Sequence, residues 1–163
     1  MEYGSIEREI HVDAPPETVF DVVSNPAHIR DWWNAETDIE PVAGSTGELT
    51  WRDEATGRTD VVPITVGEVR PPRLFSFRWT QDAGQAATAG NSLLVTFELT
   101  PAGDGTLLRL TETGFRERGW EIAVLEKAYH EHVTGWDFFL PRIAERAARV
   151  PGTERDDREP VRP

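Results

Sequence analysis

Few residue types in this sequence can carry chemistry. There are no cysteines, so disulfides, thiolate nucleophiles and cysteine-ligated zinc are excluded. The four histidines are His11, His28, His130 and His132. Residues two apart on a helix point away from each other, so His130 and His132 cannot share a metal directly. Glu126 and His130 are four apart and offer two ligands at most. The pattern predicts a solvated helix flank and no metal site. His11 falls on the polar parity of a strand and is expected to be exposed. No HExxH, Gly-x-Ser-x-Gly, phosphate-binding loop or GxGxxG is present, so neither a cofactor nor a standard catalytic motif is predicted.

Two groups stand out. Arg109 and Glu112 lie on one predicted strand, and Glu112 shares the inward parity of Leu108 and Leu110. A carboxylate on an apolar face is costly unless paired or neutral. It is the single weak catalytic candidate, able to bind a ligand or act as an acid/base. The alternative is a position near the strand end that reaches water or a nearby arginine. Arg78, between Phe77 and Trp79, is expected to face solvent. The second group is aromatic: Trp32, Trp33, Trp51, Phe77, Trp79, Phe97, Phe115, Trp136 and Phe139 could line one hydrophobic pocket with Glu112 as its polar member. Against this stands a fully packed core with no room for a ligand. Gly135, beside Trp136, costs a helix about 1 kcal/mol and points to close packing or to a ligand without separating the two.

These groups need elements to hold them. Ser5 to Val12 alternates as a half-buried strand. Asp13-Ala14-Pro15-Pro16-Glu17 reads as a helix start with Asp13 as a cap, and Val19, Phe20 and Val23 form its apolar side. Asn25-Pro26 starts a second short helix carrying Ile29, Trp32 and Trp33. Strands are predicted over 48–52, 59–69, 74–80, 91–100 and 106–114, with Pro63 marking an edge or bulge and Pro101 to Gly105 a hairpin turn. Residues 82–91 are small and polar and read as a mobile loop. Ile122, Leu125, Tyr129, Val133, Trp136, Leu140, Ile143 and Ala147 form one stripe along a helix from about residue 119 to 150, roughly 45 Å long. Pro141 is expected to bend or break it. The order predicts an antiparallel sheet whose concave face buries this helix.

Composition sets the class. The 163 residues suffice for one domain, taken as 1–150, with 151–163 a disordered tail. The net charge of −12 opposes nucleic acid and anionic membrane surfaces. No apolar run approaches the ~20 residues of a membrane span. No signal peptide is read at the start. A cytoplasmic monomer or homodimer is the expectation.

The sequence also resembles a known family. Val12 to Phe20, Pro26 to Trp33 with its double tryptophan, Gly67-Glu68-Val69-Arg70-Pro71-Pro72-Arg73-Leu74 before Phe77 and Trp79, Thr111-Glu112-Thr113-Gly114-Phe115, and Gly135-Trp136 with Leu140 are similar, in order and spacing, to the SRPBCC (START-like) superfamily. The branch is that of homologues of the activator of a heat-shock protein's ATPase. Ala43-Gly44-Ser45-Thr46-Gly47, where the family has a Gly-Gly pair, and Pro141 depart from its pattern. The resemblance implies an α+β helix-grip fold, with a curved antiparallel sheet wrapped around a long C-terminal helix and two short helices after the first strand. It also implies a cavity between sheet and helix. Three functions follow as expectations: noncatalytic binding of a small hydrophobic molecule, a polyketide cyclase/dehydratase-like activity in the same cavity, and a chaperone-associated protein-interaction module. For the last, the chain is expected to lack the additional N-terminal domain of true activators.

Overall fold

The computed structural model describes residues 3–80, 85–88 and 90–150. The alternating start forms β1 (Ser5–Val12), with Ile6 and Val12 buried and Glu7, Glu9 and His11 exposed. Two short helices follow, α1 (Pro16–Ser24) and α2 (Pro26–Trp33). Then come β2 (Glu36–Thr37), β3 (Thr46–Asp53), β4 (Arg58–Arg70), β5 (Leu74–Trp79), β6 (Leu93–Ala102) and β7 (Gly105–Thr113). A 3-10 turn at Arg116–Arg118 leads to α3 (Ile122–Arg149).

The strands form one antiparallel sheet in the order β1-β7-β6-β5-β4-β3-β2. The curved sheet wraps α3, which is the helix-grip arrangement expected from the sequence. Tight turns join β4 to β5 and β6 to β7. Ala102 pairs with Gly105, leaving Gly103 (φ 60) and Asp104 as the turn. Leu125, Trp136, Leu140, Ile143 and Ala147 of α3 enter one core with the inward residues of the sheet and of α1 and α2. Burying each such large side chain contributes about 1.5–3 kcal/mol before entropy is counted.

Several expectations are corrected. Asp13 does not cap α1. The N-cap is Pro15, and Asp13 sits in an exposed turn 3.3 Å from His11. Asn25 does cap α2, its Oδ1 accepting from the Ala27 N–H at 3.0 Å. Pro63 lies on a strand paired on both sides, so it marks no edge. Its carbonyl accepts from Thr80, just past the last β4–β5 pair, Ile64–Trp79, so the missing N–H falls where the ladder has ended. The bulge comes later, between Val66 and Val69, where Ser76 Oγ accepts from the Glu68 N–H at 2.8 Å. The two-residue β2 had no sequence signal.

The long helix begins at Ile122, after Gly119 (φ 75) closes the 3-10 turn, and Ile122 itself is 63% exposed. Pro141 does not break α3. The carbonyl it leaves without a partner belongs to Asp137, an exposed residue. Buried Leu140 and Ile143 hold the helix on either side. Arg142 adds a tie, donating to the carbonyls of Trp32 at 2.8 Å and Asp31 at 2.9 Å in the last turn of α2. Such terminal carbonyls have no partner within their own helix. At the other flank Arg8 of β1 donates to Asp137 at 2.8 Å, a bond that raises its guanidinium pKa above the ordinary value.

The expected loop over 82–91 falls partly outside the described residues, as does all of 151–163. In its described part, Asn91 accepts from the Thr88 N–H at 2.8 Å and donates to the Ala86 carbonyl at 3.0 Å. Arg78 is half-buried rather than solvent-facing, with Nη1 3.5 Å from Ser92 Oγ. Among the described residues no helix is long and apolar enough to cross a membrane.

Candidate functional site

Glu112 is the centre of the site. It lies on β7 opposite Ile6 of β1 and Val95 of β6, and its side chain is 0% exposed. It does lie one residue before the end of β7, but it is shielded from solvent and none of its partners is an arginine. Trp79 Nε1 of β5 donates to its Oε2 at 2.8 Å, and Trp136 Nε1 of α3 donates to its Oε1 at 2.8 Å. His132 Nδ1 lies 2.9 Å from Oε1 and 3.0 Å from Oε2. An indole only donates, so both carboxylate oxygens must accept. The buried group is thereby satisfied by two tryptophans and one imidazole, as burial requires.

His132 is the residue that sequence reasoning missed. It was read as part of a solvated flank, yet its side chain is only 15% exposed. The signal was present: Tyr129, His132 and Trp136 are three and four apart, which places them on one helix face. The imidazole packs edge-on against Trp79 (centroids 5.3 Å) and Phe115 (5.4 Å). The other histidines do not join it. His11 is exposed, His28 bridges Asp21 and Arg146, and His130 packs on Tyr3 and Tyr129. Glu126 accepts from the Tyr3 hydroxyl at 3.0 Å instead of pairing with His130. Arg109 lies on the outer sheet face between Glu7 and Glu9, both at 3.0 Å.

Above this cluster is a cleft of about 420 Å³ between α3, the end of α2 and strands β3–β5. It brings together Trp33, Trp51, Trp79, Trp136 and Phe139 of the aromatic set, with His132. Trp33 is the hub, 5.5 Å from Trp51, 5.2 Å from Trp79 and 5.4 Å from Trp136. Trp51 Nε1 donates to the Trp33 backbone carbonyl at 2.9 Å, which orients the Trp51 ring. Arg58, Asp60 and Glu131 supply charge to the lining, and Val61 and Val62 add apolar surface; none of these five was anticipated from sequence. The rest of the predicted set does not line the cleft, and that includes Glu112, which is fully buried beneath it. Trp32, stacked behind Trp33 at 4.9 Å, donates to the Val22 carbonyl, and Phe77, Phe97 and Phe115 are buried in the core.

Gly135 resolves the ambiguity of its sequence reading. It lines the cleft, and a Cβ added there would meet nothing within 4 Å. Close packing against the sheet does not explain it. Among the described residues no three acidic or histidine side chains gather as a metal site.

The comparisons with known proteins agree with this architecture. Residues 13–148 match the family described as Activator of Hsp90 ATPase homolog 1-like protein. No curated protein matches. Among solved structures, protein MLL2253 from Mesorhizobium loti is similar at 25% identity and TM-score 0.70, over 90% of this chain and 98% of that one. The Aha1 dimer from Colwellia psychrerythraea is similar at 20% identity and TM-score 0.66, over 91% and 98%. DynU16, described as a putative protein in the dynemicin biosynthetic locus, aligns at 20% identity and TM-score 0.64, over 90% of this chain but 48% of its own. The last two likenesses bear on fold alone. With the family match spanning most of the chain and the helix-grip fold in place, this protein belongs to the Activator of Hsp90 ATPase homolog 1-like family of the SRPBCC (START-like) superfamily.

Proposed function

We propose that the cleft between α3 and the sheet binds a small hydrophobic molecule. The observation that carries this reading is the open volume at Gly135, about 420 Å³ walled by four tryptophans and Phe139. Pockets of this kind are mostly apolar with a few polar groups that fix orientation, and His132 fits that role. The lining carries Asp60 and Glu131 against Arg58, and Arg58 is already 3.2 Å from Asp60. That balance favours a neutral ligand over an anionic one. A homodimer is the assembly we favour, since the Colwellia relative is a dimer; sedimentation equilibrium measures it.

The test is a screen of lipids, polyketides and flavonoids. Binding in the cleft quenches tryptophan fluorescence and raises Tm in a concentration-dependent way. Silence across the library contradicts the proposal.

A further inference from the structure

Glu112 is over-provided for a passive ligand pocket. A buried carboxylate is weak evidence for stability, because apolar residues of similar volume commonly do as well. Here the fold instead holds it at 0% exposure with three side chains from β5 and α3. Of those three donors, Trp79 and Trp136 are committed through their only N–H. His132 alone has a second polar atom. Its Nδ1 is held by Glu112, its ring is clamped between Trp79 and Phe115, and it lines the cleft. No described residue is hydrogen-bonded to its Nε2.

We propose that His132 is a general base acting through Nε2, with Glu112 as its positioning residue, on a neutral ligand bearing an acidic C–H next to a carbonyl. The inference rests on the cleft being a ligand site. In the neutral imidazole, Nδ1–H donating to Glu112 leaves the lone pair on Nε2. Nε2 takes the proton from carbon, and the C–H electron pair becomes the C=C of an enolate. The same proton returns to the carbonyl oxygen or to a distal carbon. The reaction is an isomerisation that balances without oxidant, reductant or co-reactant. The ring is packed between Trp79 and Phe115, so it has little freedom to lose on meeting the substrate. Asp60 and Glu131 disfavour carboxylate substrates, which leaves neutral carbonyl compounds as the class.

Nitrobenzisoxazole is a suitable probe, being neutral, flat and cleaved by proton abstraction alone. The base removes the ring C–H, that pair completes the nitrile, the N–O bond breaks, and a coloured cyanonitrophenolate is released. The protein is expected to give a saturable rate, inhibited by the unreactive nitroindole and about 10²-fold or more above that of H132Q. E112Q is expected to lower kcat to a similar degree with KM retained. A rate no greater than that of free imidazole, or one that survives in H132Q, overturns the proposal. Should either variant fail to fold, nitrogen NMR of the unmutated protein decides. A protonated Nδ1 with an unprotonated Nε2 supports the base, and a protonated Nε2 overturns it. Nitroindole binding read by tryptophan fluorescence separates the two levels. Binding without elimination overturns the base alone, and absence of both overturns the ligand site with it.

Discussion

The imidazole of His132 on α3 and the carboxylate of Glu112 on β7 meet across 2.9 Å. Their contact sits beneath a cleft and is walled by Trp79 and Trp136, which donate to the same carboxylate. A carboxylate is thus fully buried, and both of its oxygens accept hydrogen bonds there.

That network predicts a graded loss of stability. Trp79→Phe and Trp136→Phe each delete one donor to a buried carboxylate and are expected to cost about 1.5–3 kcal/mol. Glu112→Leu removes the carboxylate and strands three donors, at a larger cost of about 3–5 kcal/mol. Because all three tryptophan and histidine bonds share one acceptor, the double variant of Trp79 and Trp136 is expected to be non-additive. Urea denaturation with constant m-values checks this. Losses below about 0.5 kcal/mol for both phenylalanine variants contradict the network.

Gly135 separates stability from binding. Gly135→Ala places a methyl in open space and is expected to raise stability by about 0.5–1 kcal/mol through helix propensity. Gly135→Leu fills the cleft and is expected to weaken ligand affinity at least ~10-fold, a change of about 1.4 kcal/mol. Thermal denaturation and fluorescence titration read the two effects. Unchanged affinity in Gly135→Leu contradicts ligand placement beside α3.

Arg142 ties α3 to the end of α2, and with it the position of Trp33. Arg142→Ala removes hydrogen bonds to the carbonyls of Asp31 and Trp32 and is expected to cost about 1–3 kcal/mol. It is also expected to raise hydrogen exchange in α2 ahead of the sheet, since α2 then opens locally. Uniform exchange across the molecule contradicts this.

Gly105 is a backbone requirement. A Cβ there would lie 2.3 Å from the Val12 carbonyl oxygen, which belongs to the β1–β7 ladder and cannot move alone. Gly105→Ala is expected to cost about 1–3 kcal/mol, measured by chemical denaturation. A neutral result would show that β1 shifts freely at its end.

The fold was legible because its signals were local and repeated. The alternation in β1, β6 and β7, the Asn25-Pro26 helix start and the three-four stripe of α3 each reflect burial of one face. The same face logic placed Glu112 inward. Its partners were harder to read, because Trp79, His132 and Trp136 reach it from elements 33, 20 and 24 residues away in sequence. His132 neighbours His130 in sequence, yet its spacing to Trp136 matches the buried face. Phe77, Phe97 and Trp32 carry the same residue-type signal as the cleft aromatics. Only the sheet's curvature and the position of α2 divide lining from core. Pro141 was read from local backbone chemistry, which tertiary packing around Leu140 and Ile143 overrides.

The central claim, a ligand seated among Trp33, Trp51, Trp79 and Trp136, is tested most directly by the six indole N–H resonances. The strongest compound from the lipid, polyketide and flavonoid screen is titrated into nitrogen-labelled protein. Saturable shifts of those four signals are expected while Trp120, outside the cleft, stays fixed. Saturable movement of Trp120 with the four unchanged would contradict the claim.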